Sequence, residues 1–435
     1  MNQHLDNGLL FMEFAAVVGA VIAGVIWLYL KIANVGVTLI WHVIPAHLHV
    51  PGYTIIVCLI GGLVVGLFHQ IYGPYPQSMQ DAVSEVRRRR RFSYANMPLI
   101  LVGSLLPLLF GGAVGPEAGL VSLLLGFCFW TKDQFAMQRL LMLRLIDEDP
   151  DVSRGYVFGE MVKGLLLPAS KIYFPKNVLP WKKTEAVAAG VAAGVSALIV
   201  YEVLNKVFGR GLSIPHLEVT HVSAAGHFAA ILLIAVGFGA GYLYLIGHKI
   251  TKFVFSFLVD RNLDIINAIL GGLILGLIGT AVPMSMFSGG NMIQSMQYEY
   301  LKLTPFLLIL IGVLKLFLTN VCIESGWRGG QLFPMLFSGL SIGYGFAQLL
   351  SISELYAVVL VTTALIATVF QQPLGAIVLS AIILPTEYVG WMIVAGFVAG
   401  CIPQPESIRL NPENTGFVDR IATYARSIRG IEQKR

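Results

Sequence analysis

The sequence predicts an all-α membrane protein that crosses the bilayer many times and interrupts several of its helices at membrane depth. Three observations carry this. Apolar residues make up 56% of the 435-residue chain and charged residues only 12%, against about 25% charged in a typical soluble domain. Mean hydropathy is +0.76, and at roughly 20 residues of helix per crossing the apolar length allows about ten or more segments, some too short to cross fully. Long apolar runs also end repeatedly in glycine- and proline-rich turns, the clearest being Gly111–Leu120. No separate soluble domain of any size is expected.

Taken in order, Leu9 to Ala46 is long enough for one tilted helix plus an interfacial turn, and Pro45, Pro51 and Gly52 punctuate the loop after it. Met1 to Gly8 has no basic stretch and no small-residue cleavage site, so the first helix is expected to remain as the insertion signal. Tyr53 to Tyr72 forms the next crossing and stops at Gly73-Pro74-Tyr75-Pro76. Gln77 to Val86 reads as a short amphipathic helix leading to Arg87–Arg91, and Phe92 to Phe110 returns to the glycine turn. Leu120 to Phe129 leads away from it. From Thr131 to Lys183 charges increase and only short apolar pieces remain, which predicts a partly interfacial stretch.

Thr184 to Phe208 resumes a clear helix whose small residues Ala186, Gly190, Gly194 and Ala197 suit close helix packing. Gly226 to Ile246 and Ile265 to Val282 follow, then the break Phe287-Ser288-Gly289-Gly290-Asn291. Leu303 to Asn320 runs into a second glycine-rich turn from Glu324 to Pro334, and Met335 to Leu349 continues beyond it. Tyr356 to Phe370, Ala376 to Leu384 and Val389 to Ile402 complete the apolar segments, separated by Gln371–Gly375 and Pro385–Tyr388.

Glu117 is the only Asp, Glu, Lys or Arg between Pro98 and Trp130. An acid at membrane depth is costly and is read first as functional. Pro116 before it suits the first turn of a helix, where its missing N–H is no loss. Glycines let other groups approach the bare amides, and a helix N-terminus attracts anions. The turns around Gly115 and Gly329 stand in different halves of the chain, a pattern that points to inverted repeats with a site at their interface. The halves are expected at 1–210 and 211–405, with a short tail at 406–435. Several half-helix N-termini aimed at one point would select a small anion.

The net charge of +5 is concentrated in Arg87–Arg91, around Lys163 to Lys183, and in a tail carrying Arg420, Arg426, Arg429, Lys434 and Arg435. Such residues are expected on the cytoplasmic side, with both termini. The arginine run beside membrane segments reads as a topology signal or a contact to anionic lipid, not a nucleic-acid site. Cys58, Cys128, Cys322 and Cys401 show no metal-ligand spacing and read as buried small hydrophobes. His47 and His49 form only a weak metal signal, so neither a metal nor a cofactor is expected.

The turn Ser325-Gly326-Trp327-Arg328-Gly329-Gly330-Gln331-Leu332-Phe333-Pro334 resembles the S-G-x-x-G-G-x-F-x-P turn of the CLC chloride channels and proton-coupled chloride transporters, with Leu332 where Phe is usual. Gly115-Pro116-Glu117 is similar to the family's G-R-E-G-P segment, although Pro116 replaces the Arg and Ala118-Gly119 replace Gly-Pro. Phe287–Gly290 and Pro373–Leu379 also match, and the resemblance covers nearly the whole length. It implies a CLC-like inverted repeat with broken helices meeting near the bilayer midplane, a homodimer, and transport of chloride or a similar small anion, either uncoupled or in exchange for protons. It places Glu117 on the external gate. It also implies an anion site at Gly73, Gly115, Pro116, Glu117, Gly329, Gly330, Leu332, Phe333 and Tyr388. The family's G-S-G-I-P turn corresponds to Gly73-Pro74-Tyr75-Pro76, so its serine hydroxyl is missing. Glu160 and Glu202 are the candidates for an internal proton glutamate, and neither aligns with it.

An ionised Glu117 would then be a tethered anion occupying the same amide cage as the permeating ion. Lys315 and Arg328 either add positive potential or pair with Glu324, the pairing being favoured, and Trp327 and the Phe333 ring are expected to pack. An intramembrane enzyme using Glu117 as acid or base is the reading from another class, and it lacks a partner group at a legible spacing. A cation transporter is disfavoured because helix N-termini repel cations.

Overall fold

The computed structural model describes residues 2–48, 50–149, 151–165, 183–209, 228–259 and 263–410. His49, most of the basic stretch before Lys183, the expected boundary at 210 and the basic tail lie outside these. Among the described residues the regular structure is helical, joined by one isolated two-residue bridge. The helices are α1 (Asn2–Thr38), α2 (Ile44–Leu48), α3 (Tyr53–Tyr72), α4 (Met79–Arg89), α5 (Met97–Leu109), α6 (Glu117–Glu148), α7 (Arg154–Gly164) and α8 (Lys183–Phe208). They continue with α9 (Ala230–Val259), α10 (Asp264–Ala281), α11 (Gly290–Glu299), α12 (Pro305–Glu324), α13 (Leu332–Leu350), α14 (Glu354–Phe370), α15 (Pro373–Ile383) and α16 (Val389–Cys401). Among the described residues, 7 helices are long and apolar enough to cross a membrane, and four shorter apolar helices accompany them.

The main departure from the sequence reading is α6. It does not stop near Trp130 but runs on through the charged stretch to Glu148. Gln134 and Gln138 are buried on this extension, and Arg144 pairs with Glu148 one turn later at 2.7 Å. Polar residues there mark a helix with a solvated face, not an irregular segment. Cysteine burial also differs from expectation: Cys58 and Cys322 are buried, Cys401 is half-buried and Cys128 is exposed.

The chain divides into two compact units. One draws on Met1–Val35, Met79–Leu101 and Leu120–Leu212. Its core clusters Phe11, Phe14 and Phe135 with Met142, Val157 and Met161. In this unit α8 packs through Ala189, Ala193 and Ser196, whose hydroxyl donates to the Ala16 carbonyl at 2.7 Å. A Cβ at Gly19 would lie 2.0 Å from the Ala193 carbonyl oxygen, whereas Gly190 and Gly194 face open space. The expected small-residue face of α8 is therefore one position off the face that packs.

The other unit draws on Gly36–Ser78, Val102–Gly119 and Ser213–Arg435. Its central helix, α14, is buried at every residue from Leu355 to Val369, as a helix apolar all round must be. Two glycine pairs at i and i+4 admit it. A Cβ at Gly237 or Gly241 of α9, or at Gly339 or Gly343 of α13, would lie within 2.8 Å of α14 atoms, the close approach that small-xxx-small spacing provides. Helices α3 and α10 pack the same way: a Cβ at Gly62 would fall 2.5 Å from the Ala268 carbonyl oxygen, and one at Gly272 would fall 2.3 Å from that of Cys58.

Candidate functional site

Both glycine-rich turns lie in this second unit, and the structure joins them. After α5, Gly111 reverses the chain with φ of +83°, and its carbonyl accepts from the Phe287 amide at 3.1 Å. Only glycine fits there, because a Cβ would lie 2.7 Å from the Trp41 ring. The Ala113 carbonyl accepts from the Thr319 hydroxyl of α12 at 2.9 Å. Gly115 then meets Gly330 in an antiparallel bridge, each amide donating to the other's carbonyl at 2.7 Å. Two residues later Glu117 opens α6.

The second turn begins where α12 ends. Gly326 takes φ of +97°, and the fully buried Trp327 anchors the loop by donating from Nε1 to the Ala268 carbonyl at 2.8 Å. Gly329 is pressed against Val114, where a Cβ would fall 2.5 Å from Val114 Cγ2. Gln331 Oε1 accepts from the Tyr244 hydroxyl at 2.5 Å. Helix α13 starts at Leu332 with its first amides unsatisfied by the helix itself.

Those amides are taken by Glu117. Its Oε1 accepts from the Leu332 amide at 2.5 Å and from the Phe333 amide at 3.0 Å. The acid of one broken helix thus caps the N-terminus of the other, with charge-assisted bonds and a favourable helix dipole. Its Oε2 is closed off from solvent and lies off both amides. A Cβ at Gly115 would lie 1.8 Å from Oε2, and one at Gly330 would lie 2.0 Å from Glu117 Cδ. Both positions must be glycine for the carboxylate to sit where it does.

Lys315 is placed differently from expectation. It is fully buried, its Nζ donates to the Met286 carbonyl at 2.5 Å, and it stands 4.8 Å from the centroid of the Phe337 ring. Glu324 is engaged instead by His248 Nδ1 at 3.2 Å. A lysine nine residues before Glu324 lies two and a half turns away along α12, beyond the reach of an i,i+4 pair. One turn apart on α12, Lys315 and Thr319 bind the carbonyls of Met286 and of Ala113, the latter four residues before Glu117.

The structure therefore brings together Gly115, Pro116, Glu117, Gly329, Gly330, Leu332 and Phe333. Tyr388 is buried in the large core cluster against which Leu332 and Phe333 pack, its ring 6.4 Å from that of Tyr356. Gly73 ends α3 with φ of +93°, and a Cβ there would meet only Tyr75 within 4 Å, so it stands apart from the carboxylate. In the first unit Glu160 is bound to Lys163 at 2.5 Å and Glu202 is exposed. The contributions of Lys315 and Thr319 were not read from sequence; their i,i+4 spacing ahead of the second turn was the available signal. A further signal is an internal repeat, Leu59-Ile60-Gly61-Gly62-Leu63-Val64-Val65-Gly66-Leu67 in α3 against Ile269-Leu270-Gly271-Gly272-Leu273-Ile274-Leu275-Gly276-Leu277 in α10.

The family model described as voltage gated chloride channel matches residues 185–404, half of the chain. The chain belongs to the voltage gated chloride channel family. Members of this CLC family are anion channels or transporters. The Escherichia fergusonii protein named "Putative ion-transport protein YfeO" is 26% identical over 359 residues, covering 76% of this chain and 77% of the relative. Its namesake in Salmonella paratyphi A is 24% identical over 341 residues, covering 76% and 78%. Among solved CLC structures, a slow cyanobacterial Cl⁻/H⁺ antiporter aligns with a TM-score of 0.63 at 18% identity, over 90% of this chain and 93% of that one. A CLC-type fluoride/proton antiporter aligns at 0.60 with 16% identity, over 91% and 94%. The fold is that of the CLC transporters.

Proposed function

We propose that this chain moves chloride or a similar small anion across the cell membrane, with Glu117 as the gate of the pathway. The observation that carries this is the Glu117 carboxylate on the Leu332 and Phe333 amides. A carboxylate held by two helix N-terminal amides occupies the place of a bound anion. When Glu117 leaves or takes a proton, the same amides become available to an ion of like charge. Gly115, Gly329 and Gly330 keep the cage open to backbone approach, Pro116 starts α6 in register, and Tyr388 and Gly73 complete the anion path.

Exchange for protons is the preferred mode, because one carboxyl then serves both ions in turn. The solved relatives named as antiporters support it. Chloride and fluoride, the ions in their names, are the first substrates to test. A homodimer with one pathway per subunit and cytoplasmic termini belong to the same reading. Two inverted halves, 1–210 and 211–405, are supported by the α3 and α10 repeat, whose glycines are offset by 210 positions between Gly61 and Gly271.

The test is efflux from chloride-loaded proteoliposomes at an imposed potential, with a proton probe outside, comparing wild type and Glu117→Gln. Chloride efflux that drives proton uptake in wild type, with only the proton movement lost in the variant, is the expected result. The variant's chloride flux should also lose its pH dependence. Chloride flux without proton movement in wild type would make the protein an uncoupled channel. Absence of chloride flux from folded protein would remove chloride, and the same assay would be repeated with fluoride and nitrate.

A further inference from the structure

The arginine run that ends α4 takes no part in the Glu117 site, and it borders a depression in the first unit. Helix α4 closes at Arg89, and Arg90 turns the chain with φ of +52°. Beside it, α6 contributes Cys128, Phe129 and Lys132. Together with Val86 and Arg90 these line an open surface depression of about 620 Å³.

Two features favour an anion in this depression. Its two cations are exposed and have no acidic partner among the described residues. The nearby acids are engaged elsewhere: Asp133 Oδ2 accepts from Arg91 at 2.8 Å and from the Tyr94 hydroxyl at 3.0 Å, and Glu85 pairs with Arg89 at 3.5 Å. The Asp133 contacts also pin the loop after Arg90 to α6, so the depression has two fixed walls. Arg87, Arg88 and Arg89 complement the C-terminal dipole of α4, but that account does not reach Lys132, which stands on another helix.

The shape of the approach identifies the ligand class. Leu124, Cys128 and Lys132 follow at i, i+4 and i+8 along one face of α6, and Leu124 and Cys128 are exposed. An apolar stripe therefore leads to a pair of cations. A free phosphate would use only the cations, whereas a phospholipid uses both. We propose that this depression binds the headgroup phosphate of an anionic phospholipid between Arg90 and Lys132, with an acyl chain laid along Leu124 and Cys128. Anionic headgroups are drawn to such basic positions at the membrane surface.

Cys128 is the reporter. In a Cys401→Ser background the remaining thiols, Cys58 and Cys322, are buried, so a maleimide modifies Cys128 selectively. Its modification rate is measured in detergent with phosphatidylglycerol, phosphatidylcholine or inorganic phosphate added. Phosphatidylglycerol should slow the reaction and the other two should not. The double variant Arg90→Gln/Lys132→Gln should need about thirtyfold more phosphatidylglycerol for half protection, the expected effect of two near-surface cations. Single Lys132→Gln, an exposed change, should show part of that shift. Equal protection by phosphatidylcholine would reduce the site to an acyl-chain groove and overturn the proposal. Protection by phosphate alone would make it a free-anion site, and unchanged protection in the double variant would remove the cations from it; either result also overturns the proposal.

Discussion

Gly330 and Gly190 both lie in small-residue stretches of apolar sequence, and the structure uses them in opposite ways. A Cβ at Gly330 would collide with the Glu117 carboxyl at 2.0 Å, while one at Gly190 would meet nothing within 4 Å. Spacing permits close approach but does not say what approaches. What stands opposite decides: at Gly330 it is another turn's acid, and in the first unit the packed face of α8 passes through Ala189 and Ala193 instead.

The contrast can be broken most directly at Gly330. Gly330→Ala should push the Glu117 carboxyl off the Leu332 and Phe333 amides and so free anion flux from proton movement, as Glu117→Gln should, with little loss of stability because only a flexible side chain must move; efflux with a proton probe and thermal unfolding in detergent read both. Unchanged flux and unchanged proton coupling in this variant would erase the distinction between the two glycines. Gly62→Ala should have a smaller effect on flux but a larger one on stability, because its Cβ would press on the Ala268 carbonyl backbone at 2.5 Å and force α3 from α10. A loss of about 1–2 kcal/mol by overpacking, with flux reduced but measurable, is expected from the same two assays. The smallest effect, and of opposite sign, is predicted at Gly190. Gly190→Ala should leave flux unchanged and stabilise by about 0.5–1 kcal/mol, the helix-propensity gain of alanine over glycine at an open position; a destabilised variant would mean that something covers this face.

Much of this was legible in the sequence because membrane depth makes polar residues conspicuous. Glu117 stood alone between Pro98 and Trp130, and the glycines on either side marked a turn. The partner amides at Leu332 and Phe333 were legible from the family resemblance, which the matched residues 185–404 bear out as family membership. The length of α6 was not legible, since charges at Lys132, Asp133 and Arg144 look the same in an interfacial loop and on a solvated helix face. Nor was the setting of Lys315: the nearest acid in sequence suggested a partner, whereas the ammonium reaches a carbonyl and an aromatic face. The glycines around α14 were not legible because no single segment carries their reason; Gly237, Gly241, Gly339 and Gly343 come from two helices that both need the same third one.

In the proposed mechanism, the unequal use of the two Glu117 oxygens gives ion exchange an order of events. Oε1 takes both the Leu332 and Phe333 amides, while Oε2 lies off them. A proton arriving there can bind Oε2 without first breaking either amide contact. The carboxyl is then neutral while still in place, and its grip on the amides weakens from charge-assisted to ordinary hydrogen bonding. On the proposed function, protonation comes first and displacement second, so the incoming anion meets a loosened plug and not a rival charge.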